Sequence, residues 1–401
     1  MLLYAIDLVL KLAWHNSTRL THSLMFMGTL GIVISAGVSA WINRRYRVPT
    51  RSIQNLALPT AFLAFCLFDW ALLNALPTFK LSFSKNIVLP MLAAILVRVS
   101  ILWAQTAALV IAQALKRARH SHWDAPLFLL LNLVFCALLI DAYVIEPLWV
   151  ETSSLTVRSE KLNSTAPPVR IVHLTDTHIE RSSYREAAVV RRVNALQPDI
   201  IVLTGDYLNT SYAHQEESAD DFRRLINQLE APYGKYAVRG SIEGWRDRAY
   251  MDWLFAGTDV IWLEQEALTV YVRGQSVTLI GVACSHNQRT DQRRLARALA
   301  GVPDDAFTVL LYHSPDLIEA AAAHGIDLYL AGHTHGGQLR LPFYGAILTS
   351  SVYGKRYEAG DYQVGNTRLY VSRGLGFEGG GMPRARLLCR PEIVSIELRG
   401  T

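Results

Sequence analysis

Aspartate and histidine residues recur where short apolar runs end in the C-terminal half of the sequence. The motifs are Asp-Thr-His at 176–178, Gly-Asp at 205–206, a histidine at 313 and Gly-His-Thr-His at 332–335. Carboxylate and imidazole together favour a borderline divalent ion such as Zn²⁺, Mn²⁺ or iron. The candidate ligands are Asp176, His178, Asp206, His313, His333 and His335. One ion needs fewer, so the pattern predicts two metals that share a carboxylate.

The segments that must position these ligands alternate between two patterns. Apolar runs of about four to eight residues, bounded by turn residues, are typical of buried strands. They occur at 169–176, 198–206, 236–241, 277–285, 307–314 and 326–333. Helical stripes lie between them, as at Val189, Val193 and Leu196. The alternation predicts an α/β layered domain, in which the carboxyl ends of the strands bring the ligands to one edge.

Each ligand alone has a simpler explanation, because a histidine at a strand end is commonly a satisfied polar group. The order of the motifs is more specific than any one of them. The series DTH, GD, H and GHTHGGQ resembles the calcineurin-like metallophosphoesterase superfamily over about residues 169–397. GHTHGGQ and the later VSRGLG, at 371–376, are similar to its membrane-associated bacterial branch.

The resemblance implies a four-layer αββα sandwich around two mixed sheets. It implies that Asp176, His178 and His335 hold the first metal and that Asp206 bridges. His313 and His333 would hold the second metal, and Asp206 and His333 are the expected catalytic residues. Two such ions lower the pKa of a water toward neutrality, so hydroxide can attack phosphorus in line with the leaving oxygen.

One motif departs from the family pattern. Gly-Ser-Ile-Glu stands at 240–243 where the family has Gly-Asn-His-Asp or Gly-Asn-His-Glu. We expect Ser241 to supply a weaker oxygen ligand to the second metal or to hold a metal-bound water, and Glu243 to substitute in part. Ile242 can perform no acid–base chemistry. A substrate whose leaving group needs little protonation is therefore favoured, such as a diester, a pyrophosphate or an activated monoester.

Two further residues are candidates for substrate binding. Arg373 lies in the Ser-Arg-Gly-Leu-Gly segment, and arginine forks suit phosphate oxygens. His286 follows the apolar run that ends near residue 285. The alternatives are structural ion pairing for Arg373 and a solvated loop position for His286.

The N-terminal part of the sequence has a different composition. Hydrophobic residues make up 51% of the 401, and the excess lies almost entirely before residue 150. Four apolar stretches, at about 24–42, 56–76, 87–115 and 126–145, approach the roughly 20 residues that a membrane helix needs. We predict an α-helical membrane bundle of about four helices at 1–150, a polar linker at 151–168 and a metallophosphoesterase domain at 169–401.

Basic residues predict the orientation of this bundle. Arg44, Arg45, Arg47 and Arg51 follow the first stretch, and Lys116, Arg117 and Arg119 follow the third. The positive-inside rule assigns both loops to the cytoplasm. The expected location is therefore the cell membrane, multi-pass, with an extracytoplasmic catalytic domain. This use of the basic residues also explains the net charge of +5 without a nucleic-acid partner.

Ionisable residues near or within the predicted spans allow a transport interpretation. Arg98, Asp69 and Asp141 could mark an ion pathway. The simpler alternative, which we favour, is that they pair within the bundle or lie near helix ends.

These patterns together predict a membrane-anchored, metal-dependent phosphoesterase, for which a lipid-linked substrate is one option. A lipid A enzyme similar to UDP-2,3-diacylglucosamine pyrophosphohydrolase is an alternative, and it requires a cytoplasmic active site. A degenerate metal-binding receptor without turnover is the alternative outside enzymes, because the Asn-His pair is missing.

Overall fold

A computed structural model describes residues 52–83, 87–114, 124–377 and 384–401. The chain divides into two compact units. The first comprises Met1–Asp141 with Gly381–Pro383, and the second comprises Ala142–Gly380 with Arg384–Thr401. The predicted span at 24–42 and both groups of basic residues used for the orientation lie outside the described residues.

Three apolar helices form the described part of the first unit. They are α1 (Ser52–Ala75), α2 (Val88–Ala114) and α3 (Asp124–Ile140), close to three of the four predicted stretches. Within the described residues, one segment, Pro126–Leu148, is long and apolar enough to cross a membrane. Ala61–Ala75 and Pro90–Gln105 are shorter apolar helical stretches. The helices are found where the sequence predicts them, and a bundle of several spans stays a prediction.

A buried ion pair connects these three helices. The Arg98 guanidinium donates to both carboxylate oxygens of Asp69, at 2.6 and 2.5 Å, and to Oδ1 of Asn132 at 2.8 Å. All three side chains are fully buried. Burial of either charge without its partner would destabilise the fold. The ion pair offsets this cost because each charge compensates the other. The expectation that Arg98 and Asp69 pair within the bundle is confirmed.

Two six-stranded mixed sheets form the centre of the second unit. The first sheet has the strand order β1-β14-β2-β3-β4-β5. Its strands are β1 (Glu151–Ser159), β2 (Val169–Leu174), β3 (Ile200–Leu203), β4 (Lys235–Val238), β5 (Val260–Leu263) and β14 (Glu392–Gly400). β14 runs parallel to β1 and antiparallel to β2, and the remaining pairs are parallel.

The second sheet has the order β12-β13-β9-β8-β7-β6. Its strands are β6 (Gln265–Val272), β7 (Gln275–Val282), β8 (Thr308–Leu311), β9 (Leu328–Ala331), β12 (Gly360–Val364) and β13 (Thr367–Val371). A short separate hairpin, β10 (Arg340–Leu341) with β11 (Gly345–Ala346), follows β9. Each of the six apolar runs predicted as strands overlaps one, so those predictions are confirmed.

Helices cover the outer faces of both sheets. One apolar core, with Ile171, Val202, Leu279 and Val309 among its members, lies between the sheets. The outer cores include residues of α4 (Tyr184–Ala195), α5 (Glu216–Asn227) and α7 (Arg248–Leu254) on one side, and of α8 (Gln288–Ala298) and α9 (Ile318–Ala323) on the other. The short α6 (Ser241–Gly244) follows β4. The unit is the α/β sandwich that the resemblance implied.

The predicted linker differs from the structure in its first half. Residues 151–159 form β1, which pairs with β14 from Glu151 opposite Glu392 to Ser159 opposite Gly400. β1 is an edge strand whose Leu155 and Val157 are buried while most of its other side chains are polar and partly exposed. Such a half-polar segment resembles a connection in sequence, because only a parallel partner about 240 residues away makes it a strand.

His173 on β2 gives the second unit a pH-dependent stability. Burial lowers the pKa of His173 to about 4, and its Nε2 lies 2.8 Å from Oγ1 of Thr204. Protonation near pH 6.5 therefore favours the unfolded chain, so stability is complete above that pH and falls towards pH 4. We expect wild-type protein to lose about 3 kcal/mol more than His173→Gln over this window. Denaturant unfolding at a series of pH values measures the difference, and equal pH profiles would contradict it.

Candidate metal centre

The six predicted ligands follow four strands that belong to two different sheets. Asp176 and His178 follow β2 and Asp206 follows β3 in the first sheet, whereas His313 follows β8 and the Gly-His-Thr-His segment follows β9 in the second. The expectation of a single sheet edge is therefore wrong. The physical reason is that both sheets point the carboxyl ends of these strands to the same end of the sandwich. His313 connects them, because its Nδ1 lies 2.7 Å from the Thr204 carbonyl oxygen.

Most of the ligands have an unusual backbone conformation. Positive φ angles occur at Asp176 (50°), His178 (40°), Asp206 (55°), His333 (70°) and His335 (50°). Residues other than glycine seldom adopt this left-handed region, and such conformations cluster at functional sites. Backbone bonds between the ligand loops hold it, since His178 N–H donates to the Asp206 carbonyl at 3.0 Å. The backbone turns sharply at each of these five residues and directs the side chain towards the other ligands.

A first cluster comprises Asp176, His178 and His335, all buried. The Nε2 atoms of the two histidines lie 3.1 Å apart, and Nε2 of His335 lies 3.4 Å from Oδ1 of Asp176. Two nitrogens that bind one ion at about 2.1 Å lie roughly 3 Å from each other. The spacing therefore suits ligands of a common metal.

A second cluster comprises Asp206, His313 and His333. Nε2 of His313 lies 3.3 Å from Oδ2 of Asp206, and Nδ1 of His333 lies 3.0 Å from Nε2 of His313. The same Asp206 oxygen lies 3.8 Å from Nε2 of His178 in the first cluster. Asp206 thus lies between the two groups, where a bridging ligand belongs.

One buried oxygen tests the fit of this donor set to metal ions. Oδ1 of Asp176 is buried and has no hydrogen-bond donor among the described residues. It faces the Nε2 atoms of His335, His178 and His313 at 3.4, 3.8 and 4.0 Å. A buried carboxylate oxygen without a partner is costly unless a cation satisfies it. The oxygen, the imidazoles and Asp206 fit two divalent ions.

The electrostatic environment favours the protonation states that bind metal at Asp176, His333 and His335. Burial raises the pKa of Asp176, but His335, His178 and His313 together outweigh it and hold that pKa well below its usual range. Burial lowers the pKa of His335 to about 3 and also lowers the pKa of His333. The carboxylate is thus ionised and these imidazoles are neutral. Asp206 overcomes burial and raises the pKa of His313, so a metal at the second cluster displaces a proton.

Glycines allow the close packing around the carboxylates. A Cβ atom on Gly332 would lie 2.2 Å from Oδ2 of Asp176, and one on Gly240 would lie 2.4 Å from Oδ1 of Asp206. Both distances are far below van der Waals contact, so a larger residue would displace a ligand.

The Gly-Ser-Ile-Glu segment packs directly against Asp206. Ser241 Oγ donates to Oδ2 of Asp206 at 2.9 Å, and Ile242 N–H donates to Oδ1 at 2.8 Å. Glu243 is buried and accepts from the backbone N–H groups of Gly240, Asp206 and Tyr207 at 2.9–3.0 Å. The expectation that Glu243 substitutes for a missing ligand is wrong, because backbone donors occupy both of its oxygens. Its place in the structure is to hold the loops that carry Asp206 and Ser241.

The two predicted substrate-binding residues lie in different surroundings. His286 is exposed, stacks on Trp245 with ring centroids 4.2 Å apart, and places Nε2 2.7 Å from the Ser241 carbonyl oxygen. Arg373 Nη2 donates to Glu392 at 3.0 Å and to Glu151 at 3.1 Å. Ion pairing accounts for Arg373, as the structural alternative expected. Substrate contact by either residue stays a prediction.

Sequence reasoning missed the groups that orient the ligands. The Thr204 carbonyl oxygen lies at hydrogen-bond distance from Nδ1 of His313, which leaves Nε2 to face the Asp176 and Asp206 carboxylates, and such partners commonly tune ligand basicity. Thr175 Oγ1 similarly donates to Oδ2 of Asp176 at 2.8 Å. A backbone carbonyl has no residue-specific signal, so only the fold reveals the first contact. Thr175 adjoins a ligand in sequence, which is too common a situation to be informative.

Comparison with known proteins agrees with this geometry. The sequence model of the calcineurin-like phosphoesterase family matches residues 169–337. The uncharacterised metallophosphoesterase YkuE of Bacillus subtilis is 33% identical over 270 residues, which cover 65% of this chain and 89% of YkuE. Phosphodiesterase YaeI of Escherichia coli is 26% identical over 63% of this chain and 90% of its own. A Danio rerio transmembrane protein with metallophosphoesterase domain is 26% identical over 60% of this chain and 55% of its own.

The position of Asp206 between the clusters predicts coupled metal binding. Asp206→Asn removes the negative charge that both groups of ligands face, so we expect weaker binding of both ions. Elemental analysis of Mn²⁺ retained after dialysis measures the stoichiometry per chain. Asp361→Asn, on an exposed strand of the second sheet, is the matched control. Wild-type stoichiometry and affinity in Asp206→Asn would contradict a bridging position.

Proposed function

The chain belongs to the calcineurin-like phosphoesterase family, and on that premise we propose a membrane-anchored enzyme that cleaves a phosphodiester or pyrophosphate bond in a lipid-linked substrate. The main support for the proposed reaction is the Oδ1 atom of Asp176. It is buried, has no hydrogen-bond donor among the described residues and faces three imidazole nitrogens. The residues fit two divalent ions, with Mn²⁺, Zn²⁺ and iron as the candidates for this donor set.

The chain's own groups prepare the site for in-line attack. Bound divalent ions supply Lewis acidity and lower the pKa of water toward neutrality. Asp206 is oriented by the Ser241 hydroxyl and the Ile242 N–H, so its carboxylate stays directed between the clusters. His333 is the partly exposed member of the six, whereas the others are buried. We therefore propose that the substrate phosphate enters beside His333, on the side of the second cluster and Ser241.

The choice of bond rests on the residues of the Gly-Ser-Ile-Glu segment, which packs against Asp206. Ile242 is buried and has no proton to give, and Glu243 is engaged by backbone donors. General acid catalysis contributes about 10²–10⁴-fold where a proton donor is present. A diester, a pyrophosphate or an activated monoester needs this contribution least. The name of the E. coli relative, a phosphodiesterase, supports the same choice.

Membrane attachment is the second part of the proposal. Pro126–Leu148 supplies one helix suited to a bilayer, and α1 and α2 precede it. The name of the Danio rerio relative supports anchoring. From the basic loops we propose a multi-pass region at 1–150 and an extracytoplasmic catalytic domain that begins with β1 at Glu151.

Two other functions remain open. A pyrophosphohydrolase of UDP-diacylglucosamine would need its site in the cytoplasm, so a protease-accessibility assay on sealed vesicles separates it from our proposal. A receptor without turnover would keep the metals and lose hydrolysis. The name of the E. coli relative, a phosphodiesterase, favours an enzyme over a receptor.

Hydrolysis of model esters tests the proposed reaction. We expect the full chain in detergent to hydrolyse bis-p-nitrophenyl phosphate with Mn²⁺ or Zn²⁺ and to stop with a chelator. Asp206→Asn should lose turnover, and Asp361→Asn should retain it. Folded wild-type protein that binds both metals but hydrolyses neither this ester nor p-nitrophenyl phosphate would favour the receptor.

Restoring the family motif tests the explanation of bond choice. The double variant Ser241→Asn/Ile242→His returns an amide ligand and an imidazole to positions beside Asp206. Phenyl phosphate has a poorer leaving group than p-nitrophenyl phosphate and gains more from protonation. We expect the ratio of kcat/KM for phenyl over p-nitrophenyl phosphate to rise in the double variant. Ser241→Asn alone is the control for changes in metal binding, and an unchanged ratio would contradict the role assigned to the missing histidine.

A further inference from the structure

An exposed apolar segment follows the metal-binding Gly-His-Thr-His motif. We name residues 339–352 the apolar hairpin; it contains β10 and β11 and continues to Val352. Six large apolar side chains within twelve residues are 46% exposed or more: Leu341, Phe343, Tyr344, Ile347, Leu348 and Val352. Contiguous apolar surface of this kind marks contact with a partner or a membrane. Phe343 is fully exposed and has a φ of +64°, so the backbone presents it outwards at a conformational cost.

The base of the apolar hairpin is attached to the metal centre. A Cβ atom on Gly337, two residues after the ligand His335, would lie 2.4 Å from Cβ of Ala346. Arg340 Nη1 donates to the Gly336 carbonyl at 2.9 Å, and its Nη2 donates to Glu358 at 2.8 Å. Whatever surface the exposed side chains contact therefore lies close to the site of hydrolysis.

The same base is connected to the end of the candidate membrane helix within the catalytic unit. Two backbone hydrogen bonds join this base to residue 387. Leu387 N–H donates to the Gln338 carbonyl oxygen and Arg340 N–H donates to the Leu387 carbonyl oxygen, both at 2.9 Å. The next residue, Leu388, donates its N–H to the Glu146 carboxylate at 2.7 Å. Glu146 lies in the last turn of Pro126–Leu148. Two short links thus join the apolar hairpin to the point where the chain would leave the bilayer.

Side chains along this path have the character of a membrane interface. Trp149 and Leu388 are about half exposed, and the Arg390 guanidinium lies 3.8 Å from the Trp149 ring centroid. Lys355 lies 3.3 Å from the Tyr344 ring centroid, and Arg356 is exposed beside it. Aromatic rings with adjacent cations are typical of the headgroup region, where anionic lipids attract lysine and arginine.

We propose that the apolar hairpin inserts into the surface of the lipid bilayer and holds the metal centre at the headgroup level. This placement rests on the membrane attachment proposed above and explains how a lipid-linked phosphate reaches the site without leaving the bilayer. In this placement Phe343 and Leu348 contact lipid hydrocarbon, and Lys355 and Arg356 contact anionic headgroups.

Fluorescence depth measurement tests the insertion independently of turnover. The full chain is placed in nanodiscs of phosphatidylethanolamine and phosphatidylglycerol, with a bimane label on Phe343→Cys. Tyr271→Cys, an exposed aromatic position on β6, is the matched control, and labelled wild-type protein gives the background of native cysteines. We expect the 343 probe to shift its emission to the blue, to be quenched by lipid-borne nitroxide and to be protected from iodide. The 271 probe should be quenched by iodide alone.

Two results would overturn the proposal. Iodide quenching at 343 equal to that at 271 would place the segment in water. A blue shift without lipid quenching would indicate contact with protein instead. A bimane label on Val352→Cys reports on the same segment. Adding Phe343→Ser/Leu348→Ser should abolish the blue shift and the lipid quenching of this label. Hydrolysis of bis-p-nitrophenyl phosphate should be retained. Because the depth readout needs no turnover, an inactive protein with an inserted hairpin would refute the enzyme and leave this inference standing.

Discussion

The burial of two carboxylates beside four imidazoles is the constraint on which the catalytic unit depends. Asp176 and Asp206 are almost wholly inaccessible, and their negative charges would be prohibitive without cations or directed donors nearby. The fold meets this requirement with ligands from both sheets, with left-handed turns at the strand ends and with glycines where no Cβ fits. Glu243 adds a third buried carboxylate, whose pKa burial and Asp206 raise, and three backbone donors stabilise it.

This constraint explains why substitutions in the Gly-Ser-Ile-Glu segment are compatible with an intact site. The acidic residue at its end anchors the loop, because its two oxygens accept three backbone N–H bonds. The serine keeps a donor on Asp206, and the isoleucine contributes its N–H, which every residue except proline has. The hydrogen bonds that orient the Asp206 carboxylate are therefore present despite the substitutions.

Much of this arrangement could be predicted from the sequence, for identifiable reasons. Buried strands such as β3 are apolar on both faces, so their pattern is unambiguous, and the polar residues that end them stand out. β1 escaped prediction because an edge strand is half polar and its partner, β14, is distant in the chain. The division of the ligands between two sheets and the contact of Thr204 with His313 escaped it too, since neither depends on residue type.

The place of β14 in the first sheet has a consequence for biosynthesis. This strand, Glu392–Gly400, lies between β1 and β2, so residues at the start and at the end of the catalytic unit are neighbours. The sheet cannot close while β14 is still inside the ribosome, although every metal ligand has already been synthesised. The apolar helices that precede the unit emerge far earlier. These helices therefore leave the ribosome before the catalytic unit can fold, and any transfer of that unit across a bilayer during synthesis would involve an unfolded polypeptide.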